Sequence, residues 1–358
     1  MSDFNAARQK VRVTPAALVR SYYLDPERKL PLVIEPCVND FDPIGWAETQ
    51  REFIAHELDQ HGALLLRGCD IRSVERFEQF IRVTSSGALP YHERTSPRTQ
   101  VGGNIYTSTD YPADESIFLH NEQSYNLQFP LKIYFFCLTP ATSGGETPIA
   151  DTRKILDAIR PDIRDRFAKY GYVFTRNFGN GFGLTWQQAF QTHDKTEVEQ
   201  YCSQHEIKCT WLEDDHLRTT QLRPAIARHP RTGNPAWFNH ATFFHVSTLS
   251  PLMRDFLLSQ FAEDDLPNNT YYGDGSRIEP AVMDHLRQAY LQEKIVFPWQ
   301  QFDVLMVDNM LASHAREPYV GERQVVTGMA DPHLWKDCLP TLPQKVQVPE
   351  SERQPRGI

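Results

Sequence analysis

No stretch of the 358-residue chain is apolar for long enough to span a bilayer, and its first residues, Met1-Ser2-Asp3-Phe4-Asn5, lack the basic-then-apolar order of a secretory signal. These absences set the expectation of a cytoplasmic protein with no membrane partner. Runs of lysine and arginine are also missing, and the net charge is −9. Affinity for phosphate backbones comes from concentrated cations, so a nucleic-acid partner is not expected. Six cysteines, at positions 37, 69, 137, 202, 209 and 338, include no Cys-x-x-Cys pair, which argues against both a disulfide framework and a cysteine metal site. No internal repeat is evident. With 40% hydrophobic residues the chain is long enough to bury a large core, and one elaborated domain is the expectation.

What the chain does contain is a pair of segments far apart in sequence: His120-Asn121-Glu122, and Asp308-Asn309-Met310-Leu311-Ala312-Ser313-His314. Two imidazoles and one carboxylate can bind a single metal, the ligand set of the facial triad in non-haem Fe(II) oxygenases. Residues i and i+2 of a β-strand point to the same face, so His120 and Glu122 are expected to share a strand and aim at one point. Three protein ligands leave positions open on the metal, whereas a structural zinc site is filled by protein. Thirteen histidines occur here, and an isolated one more often serves the core or the surface, so the neighbours carry the weight. Lys132-Ile133-Tyr134-Phe135-Phe136-Cys137-Leu138 reads as a buried strand, and Gly144-Gly145-Glu146-Thr147-Pro148-Ile149-Ala150-Asp151 as a turn feeding a second one. Arg316 and Arg323 follow the last histidine, and a planar guanidinium matches the two oxygens of a carboxylate.

Taken together, His120-x-Glu122, the Gly144-Gly145-Glu146-Thr147-Pro148 segment and the series from Asp308-Asn309 through His314-Ala315-Arg316 to Gly321-Glu322-Arg323 resemble the taurine dioxygenase/TfdA-like family of Fe(II)/2-oxoglutarate-dependent oxygenases. Gly62-Ala63-Leu64-Leu65-Leu66-Arg67-Gly68 resembles the family's early strand, and residues 94–98 and 103–108 its approach to the first ligand. The resemblance implies an α+β fold with a double-stranded β-helix (jelly-roll) core and surrounding helices. It implies His120, Glu122 and His314 as iron ligands, Arg323 and Thr147 on the distal carboxylate of 2-oxoglutarate, and Arg316 in the same region. With O2, such an enzyme converts 2-oxoglutarate to succinate and CO2 and hydroxylates its substrate. Glu122 stands where many members have aspartate, as in the branch that acts on amino acids in natural-product pathways, and it fills the place that related halogenases leave to chloride. Where the family often has Gly-Asp before the last-ligand strand, this chain has Phe302-Asp303.

Helices are expected over residues 43–60 and 74–83, a strand over 63–66, and a short helix around Pro15-Ala16-Ala17-Leu18-Val19-Arg20. The chain divides into an N-terminal extension (1–30), an oxygenase domain (31–338) and a C-terminal tail (339–358). Within the domain, residues 151–235 read as a helical insertion over the active site, with Gly179-Asn180-Gly181-Phe182-Gly183 as a flexible connection. Arg98, Asn104, Ser108, Gln123, Tyr125 and Asn239 are the candidate substrate contacts; the cluster Trp237-Phe238-Asn239-His240 and Phe243-Phe244-His245 is a candidate lining of the substrate cavity, with core packing the weightier expectation for Phe243 and Phe244. The expected substrate is an amino acid or amino-acid-derived unit, free or tethered to a carrier protein. A sulfonate or other small organic acid, or a desaturation outcome, stands as the alternative. From another class stands a jelly-roll protein that binds metal without turnover, although such a module has no use for a dicarboxylate clamp.

Overall fold

The strand Gln128–Thr139 shows why the central run is apolar without alternation. Tyr134 and Phe136 point one way, into a cluster with Leu64, Met306, Phe77, Phe80 and Ile81. Ile133, Phe135 and Cys137 point the other way, against Ile149, Leu305, Val307 and Ala312. Both faces of the strand are therefore buried, and a period-2 pattern has no polar face to show. The structure, a computed structural model, describes residues 18–89, 99–108 and 111–338. Arg98 and the expected tail at 339–358 lie outside the described residues.

This strand is central in an eight-stranded sheet whose order is Val19–Tyr23, Leu32–Pro36, Ala63–Leu66, Val304–Asp308, Gln128–Thr139, Gln324–Leu334, Ile105–Thr107, Gln100–Gly102. Helices Pro43–Thr49, Arg51–His61 and Val74–Thr84 cover its outer face, where Trp46, Ile54, Leu58, Phe77 and Phe80 are buried. The single helix expected over residues 43–60 breaks at Gln50, whose backbone (φ −112°, ψ 24°) leaves the helical region. Val19 and Arg20 are strand residues rather than helical ones, because pairing with Leu32–Pro36 gives their backbone groups partners along a sheet edge. Pro15, Ala16 and Ala17 fall outside the described residues.

A smaller antiparallel sheet, in the order Ile117–His120, Ala312–Arg316, Ile149–Asp151, faces the large one across the Ile133–Phe135 cluster and completes the jelly-roll core. Its other face is covered by the insertion. Leu119, Ala150 and Ala315 join Phe174, Trp237, Met283 and Tyr290 in one core, while their neighbours His120 and His314 point to the opposite side.

The insertion is larger than expected, and it is not purely helical. Tyr172–Phe178 pairs with both Leu217–Arg223 and Asn268–Tyr272, and Ile207–Trp211 completes an antiparallel four-stranded sheet. The pairing with residues 268–272 carries this layer past residue 235, within the segment 152–303 that runs between two core strands and whose Phe297 and Trp299 already pack in the jelly-roll core. Phe182, in the glycine-rich connection, packs on Phe256 and Phe261, which ties that segment to the layer.

One buried ion pair fixes the turn into the last-ligand hairpin. Arg67 binds Asp303 through Nε and Nη2 at 2.7–3.2 Å, and Asp303 also accepts from the Gln300 N–H at 2.9 Å. Phe302 sits at φ +70°, the left-handed conformation that glycine adopts freely and an L-residue takes at a cost of about 1–2 kcal/mol. The turn is thus made as a glycine would make it. Arg67→Ala leaves Asp303 buried and unpaired, and urea denaturation should show a loss of about 3–5 kcal/mol.

Candidate metal and co-substrate site

His120 and His314 are direct partners across the antiparallel pair of Ile117–His120 and Ala312–Arg316. Cross-strand partners present their side chains on the same face, and here the two imidazole centroids lie 4.3 Å apart. His120 Nδ1 lies 2.9 Å from the Phe118 carbonyl, which can only accept, so Nδ1 carries the hydrogen of that bond.

Glu122 arrives differently from the sequence expectation. Its strand ends at His120, and Glu122 belongs to the turn that follows, in which Gln123 takes φ +53°. Strand pleat therefore does not bring the carboxylate beside the imidazoles. The Asn309 side chain instead holds the glutamate's main chain, accepting from its N–H and donating to its carbonyl at 2.8 Å each. Glu122 Oε2 stands 3.9 Å from His314 Nε2, and one ligand atom from each of His120, Glu122 and His314 lies within 4.8 Å of the others.

The cavity beside these groups is lined by Ser108, Ile117, Phe135 and Thr147 and by the guanidinium residues Arg316 and Arg323. Arg323 donates to the Gly145 carbonyl (2.7 Å), Ser108 Oγ (3.1 Å) and, at a longer 3.5 Å, Thr147 Oγ1. Thr147 Oγ1 also accepts from Trp299 Nε1. Among the described residues neither Arg316 nor Arg323 has a carboxylate partner. Burial, and then the Arg316 charge, push the Arg323 guanidinium down to about 10. Two cations, Arg316 buried and Arg323 half-buried, without an anion among the described residues mark a place for one. Gly144 and Gly145 (φ +69° and +73°) let the Thr147 turn lie this close, since a Cβ on Gly144 would come within 2.1 Å of the Pro318 carbonyl.

Arg316 is spent mainly on the protein: its guanidinium donates to the carbonyls of Tyr111, Pro112 and Glu115. Its buried Nε has no partner among the described residues. It therefore pins the 111–115 segment at the rim while adding positive charge to the cavity. Ser108, expected at the substrate, sits instead on Arg323. The Asn239 amide is engaged at both ends by backbone, with Ala225 O and Ala241 N. The Asn104 amide donates to the Ala88 carbonyl. Tyr125 is buried in an aromatic cluster with Phe174, His240 and Phe244, and Gln123 lies in the glutamate's turn.

In the aromatic cluster of residues 237–245, Phe243 is the one whose expected place the structure changes. Phe243 is half-buried, with its ring 4.7 Å from His120 between centroids, so it faces the site rather than the core. Phe244 stacks on Phe174 at 4.2 Å and thereby anchors this wall to the insertion's sheet. His240 Nδ1 is 2.6 Å from Ser124 Oγ, and burial first, then His120, hold its imidazole well below the usual histidine range, so it is neutral. The aromatic density of residues 237–245 was the available signal.

Two imidazoles and a carboxylate converge beside a cavity with two anion-seeking guanidiniums, and this donor set fits Fe(II) with a dicarboxylate. A model of the taurine catabolism dioxygenase TauD, TfdA family matches residues 30–330. The chain belongs to this family. Like its TauD/TfdA relatives it is an Fe(II)/2-oxoglutarate-dependent oxygenase, which uses O2 as co-substrate. It is 43% identical over 286 residues to the dapdiamide synthesis protein DdaC of Enterobacter agglomerans, covering 78% of this chain and 87% of that one. A clavaminate synthase-like protein of Arabidopsis thaliana is 27% identical over 292 residues, covering 79% and 85%. Among solved structures, PvcB of Pseudomonas aeruginosa aligns with a TM-score of 0.52 at 15% identity, over 92% of this chain and 95% of that chain. AAD-2, solved with Mn(II) and N-oxalylglycine, aligns with a TM-score of 0.51 at 12% identity, over 87% and 96%. At such identities these structures speak for the fold alone.

Proposed function

We propose that His120, Glu122 and His314 hold the Fe(II), that Arg323, Thr147 and Ser108 receive the distal carboxylate of 2-oxoglutarate, and that the enzyme hydroxylates an aliphatic carbon of an amino acid or amino-acid-derived unit. The observation that carries the site assignment is the juxtaposition itself: the three ligand atoms lie within 4.8 Å of one another, beside a cavity that also holds two guanidiniums without carboxylate partners. Iron with bound 2-oxoglutarate supplies the oxidising power from O2, with release of succinate and CO2. The chain supplies orientation and shelter. Arg323 fixes one end of the co-substrate by a charge-assisted contact, and Thr147, held by Trp299, keeps that contact in register. Ile117 and Phe135 give the cavity apolar walls that exclude water, and Phe243 closes the side beyond His120.

The likeness to a dapdiamide synthesis protein supports an amino-acid-derived substrate in natural-product biosynthesis, with a carrier protein as the partner if the substrate is tethered. No helix among the described residues is long and apolar enough to cross a membrane. The free thiols fit the reducing cytoplasm, the location proposed here. Anaerobic titration of metal-free protein with Fe(II) and then 2-oxoglutarate should produce the weak visible charge-transfer band of a bidentate chelate. Candidate amino acids should shift that band. Iron binding without the band would separate the metal site from the co-substrate and defeat the assignment of the clamp.

A further inference from the structure

We infer that Asn309 is the positioning residue for the carboxylate ligand, and that the buried Asp308–His229 pair holds Asn309 in place; the inference rests on Glu122 being that ligand. The pairing of the two ligand strands reaches His120 opposite His314, and the strand stops there, so Glu122 has no residue of that ladder to bind its backbone. The Asn309 amide takes the place of the missing peptide. Its Oδ1 accepts from the Glu122 N–H, and its Nδ2 donates to the carbonyls of Glu122 and Pro130, all at 2.8 Å. Asn309 is fully buried, and both Nδ2 hydrogens and Oδ1 are engaged, so the amide cannot turn without leaving buried polar groups unpaired. Asn121 closes the other side by donating to the Asn309 carbonyl.

Asp308 fixes the turn on which Asn309 sits. Its Oδ1 accepts from the N–H groups of Met310 and Leu311 at 3.0 Å each, and its Oδ2 lies 2.9 Å from His229 Nε2. His229 Nδ1 accepts from the Thr232 N–H, so Nε2 carries the proton given to Asp308. Both side chains are fully buried. Asp59, His229 and Asp308 also bring ligand-type atoms together, but Arg231 already lies between the two carboxylates as their cation. This cluster is therefore a lock rather than a second metal site. A glutamate has one more rotatable bond than an aspartate, and an immobile backbone at Glu122 removes the freedom that would otherwise spread the carboxylate over several positions.

Asn309→Asp is nearly isosteric and still accepts from the Glu122 N–H, but it cannot donate to the two carbonyls. In anaerobic titrations it should weaken Fe(II) binding by at least about tenfold, the scale for losing a partner that orients a metal ligand, and displace or erase the chelate band, while circular dichroism stays that of the parent. Should that variant fail to fold, His229→Ala and His229→Gln decide: alanine should weaken Fe(II), and glutamine, which keeps a donor for Asp308, should recover part of the loss. A merely structural role would lower the melting temperature in all three without altering iron affinity or the band of the folded fraction, and that result overturns the inference. Parental affinity in Asn309→Asp overturns it as well. Glu122→Ala tests the underlying assignment separately, because unchanged iron affinity there removes Glu122 from the site whatever the Asn309 variant does.

Discussion

Replacing His314 by alanine is expected to abolish both iron retention and the turnover of 2-oxoglutarate. The substitution removes one of the three proposed protein ligands, so the loss should exceed the roughly 10–100-fold that follows when only a partner orienting a ligand is removed. The fold should survive it. His314 lies in a strand that already contains Ala312 and Ala315, and the ladder bonds to Ile117–His120 and Ile149–Asp151 are made by its backbone. Iron bound per chain, assayed anaerobically, and succinate formed per unit time are the two readings. Retained iron with unchanged succinate would take His314 out of the site and leave the cross-strand pairing with His120 without a chemical purpose.

Arg323→Ala should separate the two halves of the site. Iron affinity is expected to stay near that of the parent, because the guanidinium is engaged with Gly145, Ser108 and Thr147. The 2-oxoglutarate requirement should rise by the cost of losing a charge-assisted contact, about 2 kcal/mol or more, which is roughly 30-fold or more in concentration. Arg323→Lys is the control on local packing, since Arg323 also holds the Gly145 carbonyl. Lysine keeps the charge without the planar fork, so it should fall between parent and alanine. A co-substrate requirement that stays constant across all three would move the clamp elsewhere, with Arg316 the next guanidinium on the cavity wall.

The residues that carry chemistry were legible because their types are restrictive: a metal that needs two imidazoles and a carboxylate, and a dicarboxylate that needs a fork, leave few substitutes. The backbone that delivers them was less legible. His-x-Glu reads as one strand by pleat, yet the strand stops at His120, and only a side chain from a segment nearly two hundred residues later explains where Glu122 points. Arg316 looked like a second anion contact because sequence shows its charge and not the three carbonyls of the 111–115 segment that occupy it. Phe302 looked unsuited to a glycine's place, but the Arg67–Asp303 pair fixes the turn around it, and its left-handed backbone is tolerated. The insertion looked helical because Thr152–Ala158, Pro161–Tyr170 and Lys195–Gln204 are helices, while its strands pair with one another and with Asn268–Tyr272 from beyond the expected span, a pairing that local periodicity does not show.

The place of Ala312–Arg316 between Ile117–His120 and Ile149–Asp151 also bears on how the enzyme is made. The two imidazoles meet only when a late strand is inserted between two early ones, with the whole 152–303 layer already looped out between them. Contacts so distant in sequence close slowly, since the entropy of the intervening loop must be surrendered before any pairing offsets it. A nascent chain that has not yet supplied its last strands therefore lacks the proposed triad with which to capture redox-active iron. Metal loading is confined in this way to molecules whose topology is complete, and in those molecules the bound ion adds its own binding energy to the stability of the finished sheet.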